Sequence, residues 1–257
     1  MTSAPQPDRP EGDRIAKLLA RAGVASRREV ERMIADGRIA IDGKPVETPA
    51  TFLTSLRGVS VDGKPVAKPE PTRLFAFHKP SGLITAERDP AGRATIYNAL
   101  RNALPKDTPR LMPIGRLDLN TEGLLLLTND GAFKREIELP STGVPRTYRA
   151  RTFGEVTQEQ LEGLIDGITI DGVHYGSIDA NLERRTGKNQ WIEVTITEGK
   201  NREVRKVLEH LGLKVSRLIR TAYGPYLLGD MPRGGAAEIK KHEIGKFRST
   251  LKRSSQS

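Results

Sequence analysis

The stretch Gly115-Arg116-Leu117-Asp118-Leu119-Asn120-Thr121-Glu122-Gly123-Leu124-Leu125-Leu126-Leu127-Thr128-Asn129-Asp130-Gly131 sets a polar, glycine-punctuated loop directly against four consecutive leucines. A short unbroken apolar run between turn formers reads as a strand buried in the core, and Asn129-Asp130-Gly131 closes it with a turn. If the backbone ahead of the strand is extended, the period of two sends Arg116 and Asp118 to one side and Leu117 and Leu119 to the core. A carboxylate beside a guanidinium is stabilised as the anion, the form that nucleophilic or base chemistry needs. An isolated loop aspartate more commonly organises a turn through its own backbone, so the spacing alone leaves both roles open.

On either side, strands and helices interleave. Leu74-Phe75-Ala76-Phe77 reads as an apolar strand ended by the turn formers Lys79-Pro80-Ser81-Gly82, and residues 147–153 and 191–196 alternate as strands. Thr157 and Gln160 form a capping box for a helix carrying Leu161, Leu164 and Ile165. Asn201 is placed to cap a helix with Val204, Val207, Leu208 and Leu211 on its apolar stripe, stopped by Gly212 before a strand over residues 215–219. Without a regular βαβ repeat, this indicates an α+β domain over residues 73–245.

Composition narrows the function. The chain has 257 residues, 36% hydrophobic and 29% charged, enough for a small domain plus a medium one. No run approaches the roughly 18 apolar residues of a membrane span, and Met1-Thr2-Ser3-Ala4-Pro5-Gln6-Pro7 lacks an apolar signal stretch, so a cytoplasmic protein with no membrane partner is expected. The absence of cysteine excludes disulfides, zinc ribbons and thiol nucleophiles, and His78, His174, His210 and His242 show no local metal-ligand spacing. A net charge of +10 demands a polyanionic partner, nucleic acid foremost, while 5% aromatic residues argue against binding mainly by base stacking. Phosphate-loop, dinucleotide, hydrolase and zincin motifs are missing from the sequence. Residues 1–11 and the basic end 246–257, with Lys246, Arg248, Lys252 and Arg253, are too polar to bury a core and are expected to be disordered. The prolines in Ala67-Lys68-Pro69-Glu70-Pro71-Thr72 suit an interdomain linker.

Between those limits lies a small module. Asp13 is placed to cap a helix with Ile15, Leu18, Leu19 and Ala22 on one face and Gly23 at its end. Ser26-Arg27-Arg28-Glu29 is a capping box for a second helix with Val30, Met33 and Ile34, closed by Gly37. Ile41-Asp42-Gly43-Lys44-Pro45-Val46 and Val61-Asp62-Gly63-Lys64-Pro65-Val66 each carry an Asp-Gly pair suited to a hairpin. Ion pairs along solvated helices would account for its charges.

Two resemblances sharpen this reading. Lys17-Leu18-Leu19-Ala20-Arg21-Ala22-Gly23-Val24-Ala25-Ser26-Arg27-Arg28-Glu29, followed by residues 37–43, resembles the S4 RNA-binding domain, over about residues 12–70. That resemblance implies phosphate contacts for Arg14, Arg21, Arg27, Arg28 and Arg38. The stretch from Gly115 to Gly131 resembles the catalytic motif of the S4-domain pseudouridine synthases acting on bacterial ribosomal RNA. Lys79-Pro80-Ser81-Gly82, Arg146-Thr147-Tyr148 and Glu198-Gly199-Lys200-Asn201-Arg202-Glu203-Val204-Arg205-Lys206 follow in the family's order. Asn189-Gln190-Trp191 and Ser216-Arg217-Leu218-Ile219-Arg220 are most similar to members that modify the large-subunit RNA.

The resemblance implies an S4 domain joined to a catalytic domain with a mixed, largely antiparallel sheet and flanking helices. It also implies isomerisation of uridine to pseudouridine, with 23S ribosomal RNA or a large-subunit assembly intermediate as partner, a monomeric enzyme, and no cofactor or metal. Asp118 would initiate the reaction by adding to the base, attacking the sugar or removing a sugar proton. Tyr148 would stack on the base, and Arg205 would pair with Asp118. Arg116 would fill the space of the extruded nucleotide, Leu218 would pack near the base, and Lys200 and Arg202 would bind substrate. A small-subunit RNA target and a non-catalytic assembly protein are the alternatives.

Overall fold

The computed structural model describes residues 11–254, so the expected disordered segment at the N-terminus lies, apart from Glu11, outside the described residues, as do residues 255–257. The chain divides into two compact units, one ending at Thr72 and the other starting at Arg73.

In the first unit β1 (Asp13–Arg14) leads into α1 (Ile15–Arg21) and α2 (Arg27–Ala35), followed by β2 (Ile39–Ile41), β3 (Lys44–Pro45), β4 (Phe52–Leu53), β5 (Val59–Val61) and β6 (Lys64–Pro65). Strands β2, β3, β5 and β6 form an antiparallel sheet ordered β3-β2-β5-β6, while β1 pairs with β4. Both Asp-Gly pairs take the left-handed conformation that a tight hairpin needs, with φ of 47° and 79° at Asp42-Gly43 and 49° and 76° at Asp62-Gly63. Ile15, Leu19, Val30, Ile34, Ile39 and Val59 make its core. Asp13 does not cap α1. Its backbone is drawn into pairing with Leu53, the Ile15 N–H donates to the Thr51 carbonyl at 2.8 Å, and the Asp13 carboxylate accepts from Lys17. Ser26 does cap α2, accepting from the Glu29 N–H at 3.2 Å, but the Glu29 carboxylate turns to Arg32 and leaves the box half made.

The second unit runs β7 (Leu74–Lys79), α3 (Ile96–Ala103), β8 (Met112–Ile114), β9 (Thr121–Thr128), α4 (Gly131–Glu138), β10 (Arg146–Phe153), α5 (Gln158–Glu162), β11 (Ile168–Ile170), β12 (Val173–Tyr175), β13 (Ile178–Thr186), β14 (Asn189–Ile196), α6 (Glu203–His210), β15 (Lys214–Tyr223), β16 (Tyr226–Leu227), β17 (Ala236–Glu238) and α7 (Lys241–Ser254). One sheet ordered β13-β14-β10-β15-β9-β7-β17 organises it, with β8 on β9 and β16 on β15. Every pairing is antiparallel except β9 with β15. The fold is therefore α+β on a mixed, largely antiparallel sheet.

The four leucines are continuous because β9 is covered on both faces. Leu125 and Leu127 enter the core that also holds Phe75, Phe77, Leu117, Tyr148 and Leu218, whereas Leu124 and Leu126 enter the opposite core with Phe133, Ile137 and Tyr223. The parallel contact of β9 with β15 depends on Gly123. At φ +106°, a Cβ there would lie 2.2 Å from the Arg220 carbonyl oxygen.

Three local expectations are corrected. Residues 246–254 are not a disordered tail but the body of α7, whose Ile244, Phe247 and Leu251 bury into the second core, with Phe247 edge-on to Phe133 and Tyr226. Asn201 does not cap α6; Arg202 occupies that position in the left-handed conformation, and the Glu203 side chain reaches back to accept from the Lys200 N–H at 2.8 Å. Leu119 is exposed, because the chain turns immediately after Asp118 and the alternation that buries Leu117 stops there.

Candidate active site

The loop between β8 and β9 carries Asp118, and its backbone is held from four directions. Thr85 Oγ1 donates to the Leu117 carbonyl at 2.7 Å and accepts from the Leu117 N–H at 3.2 Å. Lys79, fully buried at the end of β7, places Nζ 2.9 Å from the Thr121 carbonyl, 3.0 Å from that of Asp118, 3.2 Å from that of Pro80 and 3.4 Å from that of Leu119. The Glu138 carboxylate accepts from the Gly115 N–H, and Arg205 Nη2 donates to the Asn120 carbonyl at 3.1 Å. Burial pulls the Lys79 ammonium down to a pKa of about 8, against the opposing attraction of Asp118 and Glu122.

This scaffold fixes the backbone while leaving the Asp118 carboxylate about one-third exposed. The nearest cation among the described residues is Arg202, with Nη1 at 3.9 Å from Oδ2. Arg205 does not form the expected ion pair with Asp118, nor one with Glu209. Its guanidinium, buried at the root of α6, donates instead to the carbonyls of Asn120 and Val215. Burial and the neighbouring Arg202 lower its pKa, and Asp118 counters them.

The cleft that Asp118 faces has a volume of about 870 Å³ and brings together Arg116, Asp118, Tyr148, Lys200, Arg202, Arg205 and Leu218. The register of β10 against β15 explains the wall: Tyr148 lies opposite Arg220, and Leu218 lies opposite the small Ala150. Arg116 is exposed at the rim, while Tyr148 and Leu218 are buried. The expected S4 contacts lie in the first unit. Arg14, Arg27, Arg28 and Arg38 are exposed there, but Arg38 is clamped by Asp62 through two hydrogen bonds of 2.8 and 2.6 Å, and Arg21 donates to the Glu70 carbonyl.

Residues 73–210 match the family described as RNA pseudouridylate synthase, and residues 13–55 match the S4 domain. The chain belongs to the RNA pseudouridylate synthase family. An RNA pseudouridine synthase of Rickettsia bellii is 41% identical over 228 residues, which is 89% of this chain and 97% of that one. The ribosomal large subunit pseudouridine synthase B of Pasteurella multocida is 39% identical over 249 residues, 94% of this chain and 71% of that one. A crystal structure of a pseudouridylate synthase, 25% identical, superposes with a TM-score of 0.61 over 91% of this chain and 99% of that one. The enzyme is an RNA pseudouridine synthase with an N-terminal S4 domain. No helix among the described residues is long and apolar enough to cross a membrane.

Several residues that build the synthase's cleft escaped the sequence reading. Arg220 is almost wholly buried between the Tyr148 and Tyr223 rings and donates to the Leu124 carbonyl at 2.7 Å and the Tyr148 hydroxyl at 3.4 Å. Arg146 is buried over the Tyr223 ring and donates to the carbonyls of Thr197 and Glu198. Glu203 is buried beside Glu198, and that burial pushes its pKa to about 7. The signal for Lys79 was its position, a cation closing an apolar strand; Arg146 and Arg220 lay within quoted motifs, but only the paired strands reveal that they face inward.

Proposed function

We propose that the enzyme isomerises uridine to pseudouridine in 23S ribosomal RNA, with Asp118 initiating cleavage and re-formation of the glycosidic bond. The observation that carries this reading is the Asp118 carboxylate, presented on a rigid loop into a basic cleft with no cation among the described residues nearer than 3.9 Å. In the reaction the N1–C1′ bond breaks, a C5–C1′ bond forms, a proton leaves C5 and N1 gains one. Atoms and electrons balance without an oxidant, reductant or co-reactant, so the proposal calls for no cofactor or metal. Addition of Asp118 to the base, attack on C1′ and removal of a sugar proton all start from this carboxylate.

The remaining roles follow from chemistry and placement. Tyr148 offers a ring for the detached uracil and a hydroxyl for proton transfer, with Leu218 as the apolar contact beside it. Arg205 acts by holding the loop through the Asn120 carbonyl. Arg116, exposed at the rim, fills the gap left when the nucleotide leaves the stack, and Lys200 and Arg202 bind phosphates. On the S4 domain Arg14, Arg21, Arg27 and Arg28 contact the RNA backbone, with Arg38 joining them only if its clamp to Asp62 opens. The large-subunit target is supported by the names of the relatives at 39% identity. Action as a monomer in the cytoplasm, on 23S RNA or on an assembly intermediate, completes the reading.

Carbodiimide primer-extension mapping of unmodified large- and small-subunit RNAs tests it, with Asp118→Asn in parallel. A new stop in 23S RNA that the variant does not produce is expected. A stop only in 16S RNA would overturn the target, and an active Asp118→Asn enzyme would overturn the role of the aspartate.

A further inference from the structure

The strands that form the wall of the cleft have a second face, and its chemistry is not used by the reaction. Arg184, Trp191, Arg151 and Arg217 stand in one cross-strand row over β13, β14, β10 and β15. They point away from Tyr148, Ala150 and Leu218, since side chains alternate along each strand. Arg217 is paired with Glu122, and Arg149, one row along, is paired with Glu183. Arg151 and Arg184 are exposed and have no carboxylate partner among the described residues.

These two free guanidiniums flank a recess of about 260 Å³ lined by Arg151, Arg184, Thr186, Asn189, Gln190 and Trp191. Its volume is several times the ~30 Å³ that a water occupies in the liquid. Arg149 covers the indole from one side, 5.0 Å from the ring centroid, and takes no part in lining the recess.

We propose that this recess is a second RNA-binding site, in which an unpaired nucleotide of the substrate RNA, remote from the target uridine, stacks on Trp191 while Arg151 and Arg184 hold its flanking phosphates. The occupant follows from complementarity. Two unpaired cations on either side of a flat aromatic ring suit an anion with a flat aromatic unit between its charges, which describes a single-stranded polynucleotide. The choice of RNA rests on the family's activity on RNA and not on the role given to Asp118. A site outside the cleft would also help hold RNA during extrusion of the target, which costs a few kcal/mol.

The chain contains one tryptophan, so its fluorescence reports on this recess alone. The full chain would be titrated with a ten-residue single-stranded oligouridylate, with binding followed by anisotropy and Trp191 by emission. An abasic backbone of equal charge serves as the comparison. Saturable quenching by the oligouridylate and not by the abasic strand is expected. Arg151→Ala with Arg184→Ala should reduce the quenching and lower the slope of log affinity against log salt by about 1.4, at roughly 0.7 for each phosphate contact on a single strand. The same double variant should still pseudouridylate a short RNA hairpin carrying only the target loop, which shows that it is folded and separates failure of this site from failure of Asp118. Unchanged emission when anisotropy shows the RNA bound would overturn the proposal, as would an unaltered salt slope in the double variant; an acidic protein would then be the better candidate for this face.

Discussion

Replacing Lys79 with Met removes the one group that ties together the carbonyls of Thr121, Asp118, Pro80 and Leu119. The two closest contacts, at 2.9 and 3.0 Å, are full hydrogen bonds from a charged donor, worth about 1.5–3 kcal/mol each. Burial of the ammonium offsets part of this, as its lowered pKa of about 8 shows, leaving an expected net loss of ~2–4 kcal/mol. That corresponds to a fall in Tm of roughly 5–10 °C for a domain of this size. The catalytic effect should be larger than the stability effect suggests, because a displacement of about 1 Å at Asp118 costs on the order of 100-fold. RNA tritiated at C5 of uridine releases its label when C5 loses its hydrogen after the C5–C1′ bond has formed, so tritium release under single-turnover conditions follows the reaction through that step. We expect the rate to fall about 100-fold while affinity, proposed to rest on Lys200, Arg202 and the S4 arginines, changes little. The wild-type rate should also fall as pH rises through about 8, where the neutral amine has one donor fewer. Stability should move the other way. Between about 8 and the ordinary 10.5 the unfolded chain binds the proton that the folded chain has lost, so this group's contribution to stability increases with pH. A Lys79→Met enzyme with full single-turnover rate, or one impaired only in affinity, would refute the reasoning.

Gly123→Ala drives a Cβ into the backbone of Arg220, 2.2 Å from its carbonyl oxygen, and should cost about 3 kcal/mol or more by breaking the β9–β15 pairing; urea unfolding measures it. Glu203 keeps its proton to about 7 in the folded chain but loses it near 4.5 when unfolded, so folding stability should decline from this group as pH rises across that window. Glu203→Gln should abolish that part of the slope, seen as a smaller difference in urea midpoint between pH 5 and pH 8 than the wild type shows. Phe247→Ala should destabilise the second unit by about 3–5 kcal/mol while sparing activity below the unfolding transition, whereas a solvated tail would register no change.

What could be read from the sequence was what is local. The leucine run, the Asp-Gly turns and the Ser26 and Thr157 caps are decided by neighbours a few residues apart, and the structure contains each of them. The helical ending of the chain was hidden because Ile244, Phe247 and Leu251 are diluted by lysine, arginine, serine and threonine, and only packing on residues distant in sequence, such as Phe133 of α4, makes that thin stripe a buried face. The cleft follows the same division. Asp118, Tyr148 and Leu218 sit in recognisable local patterns, whereas the inward aim of Lys79 depends on a loop 39 residues later and that of Arg220 on a carbonyl 96 residues earlier.

The displaced partner of Arg205 then explains how the cleft is built. Lys79, Arg146, Arg205 and Arg220 are buried cations, and each donates to backbone carbonyls, Arg146 and Arg220 also to tyrosine hydroxyls, and none to Asp118. Carbonyl oxygens are acceptors whose positions are set by the strands and loops that carry them, so these cations fix the architecture and hold positive potential around the cleft at the same time. Had any one of them formed a short ion pair with Asp118, a reacting nucleotide would first have to break that pair, at about 3–5 kcal/mol if it were buried. Assigning the cations to the backbone leaves the carboxylate oriented by its loop and open to substrate. On the proposed mechanism Arg205 is then a positioning residue, whose loss should slow the reaction by moving the Asn120 carbonyl and the loop with it.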